Sequence, residues 1–478
     1  MNFQNKVLII GYGAVARSTL PILLEHVTIP PDNITIIDSK NKESDLSVWI
    51  EKGIKFSRIL ITPKNLDQVL FDNLSKGDLL IDLSLNIDCT TIVNWCNSHE
   101  VLYINASVEV WDPYSEGEIT FPYEKTLHYR HMKLQAQSSE WNNATTCIVD
   151  HGANPGLISH FAKKGLVDIA DTMITDGKIL NPQYIRNMIT EKRYSDLAME
   201  IGIKVIHCSE IDTQSSKKAR KNDEFINTWS IEGFHEEAIA PAEIGWGTHE
   251  NDPPLYSYRP PDGPDNELIL KRMGMNTWIR SWTPHQEITG MVIRHGEAYG
   301  ISDRWTVWRE GKAVYRPTVS YVYRPCDATI ESLNALRTNN YQLPASLRIL
   351  DVEEIHSGAD TLGALLMGHP YTSWWTGSIL SIEKAKQLVP GQNATTIQVG
   401  IGLVAAVMWM IENPQEGFCL PDDLPYEYIL DIATPYLGEF HSCPSDWTPV
   451  RNQQENLPEN IQTDTKNDWL WQFNNFLS

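Results

Sequence analysis

The sequence predicts an α/β fold whose N-terminal part is a doubly wound parallel sheet and whose second part is an α+β domain with a mostly antiparallel sheet. Three observations support this prediction. Strand and helix patterns alternate over the first 150 residues, a glycine-rich turn follows the first strand, and Val, Ile, Tyr and Trp alternate with polar residues from about 170 to 350. We therefore expect domains at 1–152 and 153–450, followed by a polar C-terminal tail at 451–478.

The strand candidates of the first domain are short apolar runs. They are Val7–Ile10, Asn33–Ile37, Leu79–Leu83, Leu102–Asn105 and Cys147–Val149, with helix candidates such as Ala14–Glu25 and Thr90–His99 between them. This alternation predicts a parallel sheet with helices on both faces. Ligands of such sheets bind outside the carboxyl ends of the strands.

The run V-L-I-I-G-Y-G-A-V-A-R, residues 7–17, predicts the first such binding site. Gly11 allows a tight turn, Gly13 lets a pyrophosphate approach the backbone, and Ala16 lets the following helix pack closely on the strand. Asp38 ends the second apolar run, 25 residues after Gly13. A carboxylate there accepts from both ribose hydroxyls and repels a 2′-phosphate. The pattern predicts a Rossmann domain that binds NAD in preference to NADP.

We expect the remaining cofactor contacts at the ends of the later strands. The predicted cofactor-binding residues are Gly11, Gly13, Ala14, Val15, Asp38, Ser84, Asn86, Ala106, Ser107 and Gly152. The segment D-H-G-A-N-P-G, residues 150–156, closes the first domain, faces the nicotinamide end of the cofactor, and precedes a predicted helix at Leu157–Gly165.

The second domain shows strand patterns first and helical patterns later. Strands are predicted at Leu268–Arg272, Gln286–Arg294 and Ala313–Tyr323, and a Pro/Gly-rich loop at Asn251–Pro264. Helices are predicted at Gly358–Met367 and Thr395–Glu412. In the tail, Trp469 and Trp471 are the candidates for anchoring it to the domain.

Composition excludes several classes of partner. The formal net charge is −22 and the pI about 5.0, and the one basic cluster, residues 217–221, reads as a solvated loop, so we expect no nucleic-acid partner. Seven scattered cysteines without a C-x-x-C spacing predict neither disulfides nor a metal site. A strand predicted by residue 7 leaves no room for a signal peptide, and no apolar stretch approaches the ~20 residues of a membrane helix, so we expect a cytoplasmic protein without a membrane partner.

Acids and tryptophans cluster in the second domain. The blocks are W-S-I-E-G-F-H-E-E-A at 229–238, E-I-G-W-G at 243–247, R-H-G-E at 294–297 and S-G-A-D-T-L-G at 357–363. A tryptophan face attracts a cation and carboxylates hold an ammonium group. His295 and Glu297, spaced i, i+2 on a predicted strand, would share a face. Local pattern alone does not rank these positions, because most of the sixteen tryptophans must serve the core.

Several of these motifs resemble those of bacterial homospermidine synthases, a family with a saccharopine dehydrogenase-like fold. The matching runs are G-Y-G-A-V-A-R-S-T-L-P, H-G-A-N-P-G, W-S-I-E-G-F, R-H-G-E and H-S-G-A-D-T-L-G. H-G-A-N-P-G is typical of saccharopine dehydrogenase-like proteins in general, whereas the Trp/Glu blocks are specific to the synthases. The resemblance extends from residue 6 to about 440.

The resemblance implies a closed redox reaction on diamines. Two putrescines give homospermidine and ammonia, and spermidine can replace one putrescine as the donor, releasing diaminopropane. Enzyme-bound NAD takes a hydride from the amine-bearing carbon, the imine exchanges its nitrogen for a second putrescine, and the same NADH reduces the new imine. Members of the family are expected to be homodimers.

The resemblance also implies roles for individual residues. The candidate catalytic residues are Asn154, Trp229, Glu237, His295 and Glu297, and the candidate substrate-binding residues are Glu210, Glu236 and Asp360. Trp229 would be a cation–π wall near the reacting carbon, and His295 with Glu297 would move the proton that leaves the amine.

The remaining roles concern the two ends of the substrate. Asn154 would position substrate beneath the nicotinamide, and Asp360 would hold the distal amine. Glu210 and Glu237 would anchor an ammonium group, and the choice between Glu237 and Glu236 stays open by one residue.

Two other functions remain open at this level. A saccharopine or carboxylated-polyamine dehydrogenase would need an arginine for the substrate carboxylate, and Arg294, Arg304 or Arg316 could supply it. A protein that binds NAD without catalysis is the second alternative, because a fold alone does not fix function.

Overall fold

The computed structural model describes residues 1–111, 122–451 and 467–478. The strands are β1 Val7–Ile10, β2 Ile34–Asp38, β3 Lys55–Arg58, β4 Leu79–Asp82, β5 Leu102–Asn105, β6 Cys147–Ile148, β7 Val205–Asp212, β8 Ser215–Ser216, β9 Glu224–Asn227, β10 Pro241–Gly245, β11 Ser257–Tyr258, β12 Glu267–Met273, β13 Trp278–Thr283, β14 Gln286–Ile293, β15 Val307–Arg309, β16 Lys312–Tyr315, β17 Thr318–Arg324, β18 Ser346–Ile349, β19 Ile355–Ser357, β20 Ala359–Met367, β21 Ser373–Ser381, β22 Phe418–Cys419 and β23 Glu439–Ser445. The helices are α1 Ala14–His26, α2 Glu43–Glu51, α3 Leu66–Asn73, α4 Cys89–Ser98, α5 Leu127–Ser138, α6 Leu157–Thr175, α7 Pro182–Thr190, α8 Tyr194–Ile201, α9 Ile231–Ile239, α10 Gly296–Arg304, α11 Asp327–Thr338, α12 Ile382–Leu388, α13 Ala394–Glu412 and α14 Tyr426–Ala433.

The chain divides into two compact units that are not continuous in sequence. The first unit contains Met1–Leu157 and Ala385–Tyr436, and the second contains Ile158–Lys384 and Leu437–Ser478. The segment 385–436, which the sequence pattern assigned to the second domain, therefore lies in the first unit.

The first unit has a sheet of seven parallel strands in the order β22-β6-β5-β4-β1-β2-β3. Strands β1 to β6 follow the order of a dinucleotide-binding fold, in which the ligand crevice lies where the strand order reverses, beside β1. Strands β1, β4 and β5 are buried along their whole length, as is typical of the parallel strands of such a sheet. The predicted Rossmann architecture is confirmed.

Helix α13 completes the core of this unit. It is long and apolar enough to cross a membrane, with a mean hydropathy of 1.8, so the expectation that no apolar stretch approaches that length is wrong. However, 83% of its most apolar window is buried within the protein, and a helix surrounded by protein is apolar on all sides. Gly400 permits close packing, since a Cβ there would lie 2.9 Å from the Ser18 hydroxyl of α1.

The second unit is built on a mixed sheet. Its strand order is β11-β12-β10-β17-β7-β20-β21-β23, and β14 joins β13 to β17. Its pairs are antiparallel except that β17 runs parallel to β7, which confirms the predicted mostly antiparallel domain.

Residues 359–367 form strand β20, so the helix predicted at Gly358–Met367 is wrong. The run is nearly continuously apolar because β20 lies between β7 and β21 and is buried on both faces. Such a run does not distinguish a buried strand from a buried helix.

The strand predicted at Ala313–Tyr323 is two strands. Pro317 lacks a backbone N–H for the ladder, and β16 ends before it while β17 begins after it. This break leaves the tyrosines of β17 in the central sheet.

Candidate active site

The first turn of the first unit has the geometry that a dinucleotide phosphate requires. Gly11 has φ +88°, and a Cβ there would lie 2.5 Å from the carbonyl oxygen of Leu83. A Cβ on Gly13 would meet nothing within 4 Å, so the space above Gly13 is open. Gly13 caps α1 without a side chain, which leaves the first backbone N–H groups available to an anion. Ala14 and Val15 form the first turn of this helix.

Asp38 lies beside this turn at the carboxyl end of β2. Its Oδ2 accepts from the Tyr12 backbone N–H at 2.8 Å, and its Oδ1 accepts from the Lys40 N–H at 2.7 Å. A carboxylate has about four acceptor positions, so both oxygens can still accept from ribose hydroxyls.

A buried polar chain begins at Ser84, which follows β4. The Ser84 hydroxyl donates to Asp82 Oδ1 at 2.6 Å, and the Tyr103 hydroxyl donates to Asp82 Oδ2 at 3.1 Å. Burial raises the pKa of Asp82, although these hydrogen bonds oppose the shift. The chain holds the residues after β4 against β5.

The same chain continues to the loop after β6. Asn105 Nδ2 donates to the Tyr103 hydroxyl at 3.0 Å, and Asn105 Oδ1 accepts from the Asp150 backbone N–H at 2.8 Å. The Asp150 Oδ2 lies 2.9 Å from His131 Nε2, and both side chains are buried. Two loops with predicted cofactor contacts are thus joined by buried hydrogen bonds.

The other predicted cofactor residues lie along the same sheet edge. Glu109 links two of them, because it accepts from the Asn86 backbone N–H at 3.3 Å and from the Ser107 hydroxyl at 3.0 Å. Gly152 lies beside Ala106, since a Cβ on Gly152 would be 3.7 Å from the Ala106 methyl. Asn154 is half-buried in the loop that follows, where the Gly152 N–H donates to the Pro155 carbonyl at 2.7 Å.

One face of the sheet in the second unit carries buried acids and tyrosines. Tyr323 lies opposite Glu210 in the β17–β7 register, and Tyr321 lies opposite Cys208. Residues directly opposite in a ladder point to the same face. The Tyr321 hydroxyl donates to Glu210 Oε2 at 2.5 Å, and the two tyrosine rings stack at 5.6 Å with an interplanar angle of 14°.

Two aspartates extend this face. Asp360 of β20 lies opposite Asp212 of β7, and both are buried. Asp212 accepts from the Thr228 hydroxyl at 2.7 Å and from the Gln214 backbone N–H at 2.8 Å. Burial raises the pKa of Asp212 to about 6. Asp212 therefore ties the residue before Trp229 to the acidic face.

Trp229 is half-buried above the tyrosines. Its Nε1–H lies 3.4 Å from the Tyr323 hydroxyl, a long hydrogen bond, and its ring meets Phe234 edge-on at 5.7 Å. Burial and the surrounding carboxylates raise the pKa of Tyr323 well above its usual value, so it remains a neutral phenol. The indole is thus held at the edge of the core with part of its surface exposed.

His295 connects two glutamates. Its Nδ1 lies 2.9 Å from Glu297 Oε2, and its Nε2 lies 3.9 Å from Glu237 Oε1. Its ring centroid is 4.3 Å from that of Tyr321. A neutral histidine that donates through Nδ1 to Glu297 presents an acceptor at Nε2, the arrangement that a proton shuttle needs.

The backbone around His295 differs from the prediction. Strand β14 ends at Ile293, His295 is the N-cap of α10, and Glu297 lies in the first helical turn. The two residues therefore do not share a face of a strand; they meet because Gly296 begins a helix between them.

The neighbouring residues Glu236 and Glu237 have different partners. Glu236 forms an ion pair with Arg294 at 2.6 Å, whereas Glu237 lies 3.9 Å from His295.

The structure brings most of the predicted substrate residues into one unit. Glu210, Trp229, Glu236, Glu237, His295, Glu297 and Asp360 lie in the second unit, and Asn154 and the predicted cofactor residues lie in the first. Sequence reasoning missed Asp212, Tyr321 and Tyr323. The spacing of the two tyrosines, i and i+2 on a predicted strand, was a signal that they share a face.

The three arginines considered for a substrate carboxylate all have partners within the protein. Arg294 is paired with Glu236, and Arg304 with Asp303 at 2.6 Å. Arg316 is buried and donates to the carbonyls of Pro264 and Asp265 and to the Thr306 hydroxyl. In residues 1–111, 122–451 and 467–478, no group of three or more His, Cys, Asp or Glu side chains is arranged to hold a metal ion.

Two family models match nearly the whole chain. The saccharopine dehydrogenase NADP binding domain matches residues 7–149, and the saccharopine dehydrogenase C-terminal domain matches residues 152–445. The solved saccharopine dehydrogenase (L-Glu forming) from Saccharomyces cerevisiae has a TM-score of 0.52 at 11% identity, covers 92% of this chain and is itself covered completely, which shows a shared fold.

Closer relatives are homospermidine synthases. Those of Blastochloris viridis and Mesorhizobium japonicum are 34% and 33% identical over 477 residues, covering 98% of this chain and 97% and 96% of theirs. The crystal structure of the homospermidine synthase from Legionella pneumophila in complex with NAD has a TM-score of 0.87 at 34% identity, covering all of this chain and 98% of that one. The chain belongs to the homospermidine synthase family.

Proposed function

We propose that this enzyme converts two putrescines to homospermidine and ammonia, or spermidine and putrescine to homospermidine and diaminopropane. The observation that carries the proposal is the buried face of Glu210, Asp212 and Asp360, with Trp229 at its edge. The two ammonium groups of a diamine would complement the negative charge of these buried carboxylates. An aromatic wall also suits a positive charge that moves during the reaction.

We propose NAD as the cofactor. The turn at Gly11 and Gly13 fits a pyrophosphate, and Asp38 beside it suits an unmodified ribose. The Legionella pneumophila structure contains NAD, whereas the matching family model describes an NADP binding domain; Asp38 favours NAD for this chain. When bound, NAD would accept a hydride from the amine-bearing carbon and return it to the new carbon–nitrogen double bond.

The side chains of the second unit would manage charge and protons. Glu297 would hold His295 so that Nε2 removes a proton from the reacting amine, and Glu237, 3.9 Å from Nε2, would hold the neighbouring ammonium. Asn154 would position the substrate, and Asp360 its distal amine. Water must be excluded, because a hydrolysed imine becomes an aldehyde.

A dehydrogenase acting on saccharopine or a carboxylated polyamine is the alternative. Such a substrate requires a cation for its carboxylate. The arginines considered for that role are engaged by Glu236, by Asp303 and by backbone carbonyls, which supports the diamine substrate.

The test is incubation of the purified protein with putrescine and substoichiometric NAD⁺, with products read by mass spectrometry and NADH followed by absorbance. Homospermidine and ammonia in excess of NAD⁺, without lasting NADH, would support the proposal. Accumulation of NADH in proportion to product would indicate the dehydrogenase, and absence of any amine product would contradict both. A parallel reaction with NADP⁺ is expected to be slower because of Asp38.

We also propose that the enzyme is a cytoplasmic homodimer that acts on small diamines and binds neither nucleic acid nor membrane. The seven cysteines are all free, as in a reducing compartment. Light scattering coupled to size exclusion would measure the molecular mass, and a monomer would contradict the dimer.

A further inference from the structure

Tyr321 contacts two candidate site residues, and neither the motifs nor the resemblance gave it a role. Its hydroxyl donates to Glu210 at 2.5 Å. Its ring contacts the His295 imidazole at 4.3 Å and stacks on Tyr323 at 5.6 Å. The side chain is 4% exposed, so it has one fixed position among these groups.

Glu210 is a buried carboxyl group with acids and phenols among its neighbours. It is 3% exposed, and several titratable groups lie on the same face of the sheet. These groups are Cys208 and Asp212 of its own strand, Tyr321 and Tyr323 of β17, and Asp360 of β20. The His295 ring lies 4.3 Å from that of Tyr321, and its Nε2 lies 3.9 Å from Glu237 Oε1. Burial and neighbouring negative charge both favour the protonated form of a carboxyl group.

The Tyr321 hydroxyl opposes that tendency. Burial raises the pKa of Tyr321 well above its usual value, so the phenol stays neutral and acts as a donor toward the carboxylate. A hydrogen bond from a neutral donor to an ionised acceptor favours the charged form. Tyr323 has a different partner, because its oxygen faces the Trp229 Nε1–H at 3.4 Å.

We propose that Tyr321 is a positioning residue that fixes Glu210 in one orientation and keeps it ionised, so that Glu210 binds a substrate ammonium group as a carboxylate. The inference rests on the proposed diamine reaction. It assigns Tyr321 an effect on substrate affinity and on its pH dependence, with no contact to the reacting atoms.

Tyr321→Phe tests the proposal, because it removes one oxygen and keeps the ring. Loss of a hydrogen bond to a charged group should move the acid limb of kcat/KM for putrescine up by about one to two pH units. Since putrescine ammonium groups titrate near the lysine value of about 10.4, the substrate stays charged across this range. The defect should reach about 10- to 100-fold in slightly acid solution and shrink as the pH rises.

Ser320→Ala is the matched control. Ser320 is the neighbouring residue on β17, it points to the other face of the sheet, and its buried hydroxyl has no hydrogen-bond partner among the described residues. Its loss should leave the acid limb unchanged. Incorporation of 3-fluorotyrosine at position 321, a stronger donor of the same shape, should move the limb to lower pH.

A double-mutant cycle with Glu210→Gln separates a specific role from a structural one. In the Glu210→Gln background, Tyr321→Phe should have little further effect on putrescine affinity. Additive effects, a defect of equal size at all pH values, or an unchanged profile in Tyr321→Phe would overturn the proposal. Absence of homospermidine formation by the wild-type protein would instead refute the proposed function, so the two failures are distinguishable.

Discussion

Trp229 differs from the fully buried tryptophans of this chain in its surroundings. Trp375 is fully buried in the core of the second unit, whereas Trp229 is half-buried, in T-shaped contact with Phe234 and 3.4 Å from the Tyr323 hydroxyl through its Nε1. The exposed part of its ring is available to a cation such as the diamine proposed above.

Replacement of Trp229 by Ala should therefore reduce turnover at a smaller cost in stability than the loss of a buried tryptophan. A cation–π contact of about 0.5–2 kcal/mol corresponds to roughly a 2- to 30-fold loss in kcat/KM for putrescine. Because Trp229 is half-buried, the loss of unfolding free energy should stay below the ~3–5 kcal/mol that truncation of a fully buried tryptophan costs. Steady-state kinetics and urea unfolding measure the two effects, with Trp375→Ala as the control that loses stability; equal turnover in Trp229→Ala would contradict its assigned role.

The C-terminal segment, residues 467–478, illustrates how one element depends on a single buried acid. Trp471, Phe473 and Phe476 complete the core of the second unit. Glu250 accepts from the Phe473 backbone N–H at 3.0 Å and from the Thr318 hydroxyl at 2.7 Å. Burial raises the pKa of Glu250 to about 7, while burial lowers the pKa of the adjacent His249 to about 4, so His249 is neutral where Glu250 titrates.

Glu250 should make the stability of this element depend on pH. Because its folded-state pKa lies above the unfolded value of 4.5, its contribution is fully present below pH 4.5 and is lost as pH rises through 7. Glu250→Gln removes this titration, so its stability relative to the wild type should improve by about 3 kcal/mol between pH 4.5 and 8. Denaturant unfolding at both pH values measures the change, and a difference between the two proteins that does not vary with pH would contradict it.

The whole molecule carries a formal charge of −22. Such a field attracts a dication over distances longer than any single contact, and dissolved salt screens it beyond about 10 Å at 0.1 M. The same field repels a dinucleotide, so the two ligands should respond to salt in opposite directions.

We expect kcat/KM for putrescine to fall several-fold between about 10 mM and 300 mM NaCl, where the Debye length shortens from ~30 Å to below 10 Å. The dissociation constant for NAD⁺, measured in the same buffers, should stay constant or decrease and serves as the control. A putrescine rate that is independent of salt would show that long-range attraction does not contribute.

Local chemistry explains which parts of the site could be predicted from the sequence. The Gly11 turn, the acid at Asp38 and the alternation of the first 150 residues depend on contacts close in sequence, and the structure confirms the Rossmann fold built on them. The match of motifs such as W-S-I-E-G-F to homospermidine synthases is likewise confirmed by relatives along the full chain.

Other features could not be predicted because the pattern was ambiguous. Strand β20 is buried on both faces, so its sequence lacks the alternation of apolar and polar residues that identifies a strand. His295 lies at a junction where a strand ends and a helix begins one residue later, and a single glycine, Gly296, carried the only local signal.

The sequence by itself determined the chemistry available to this protein: a phosphate-binding turn, an acid for the ribose, and blocks of carboxylates and tryptophans. The tertiary structure decided which of these groups act together. The β17–β7–β20 register brings Glu210, Asp212 and Asp360 onto one buried face with Tyr321. The tertiary structure also places residues 385–436 in the first unit, next to a part of the chain that is distant in sequence. The physical reason is that strand pairing joins residues more than 100 positions apart, where no local pattern records the partner.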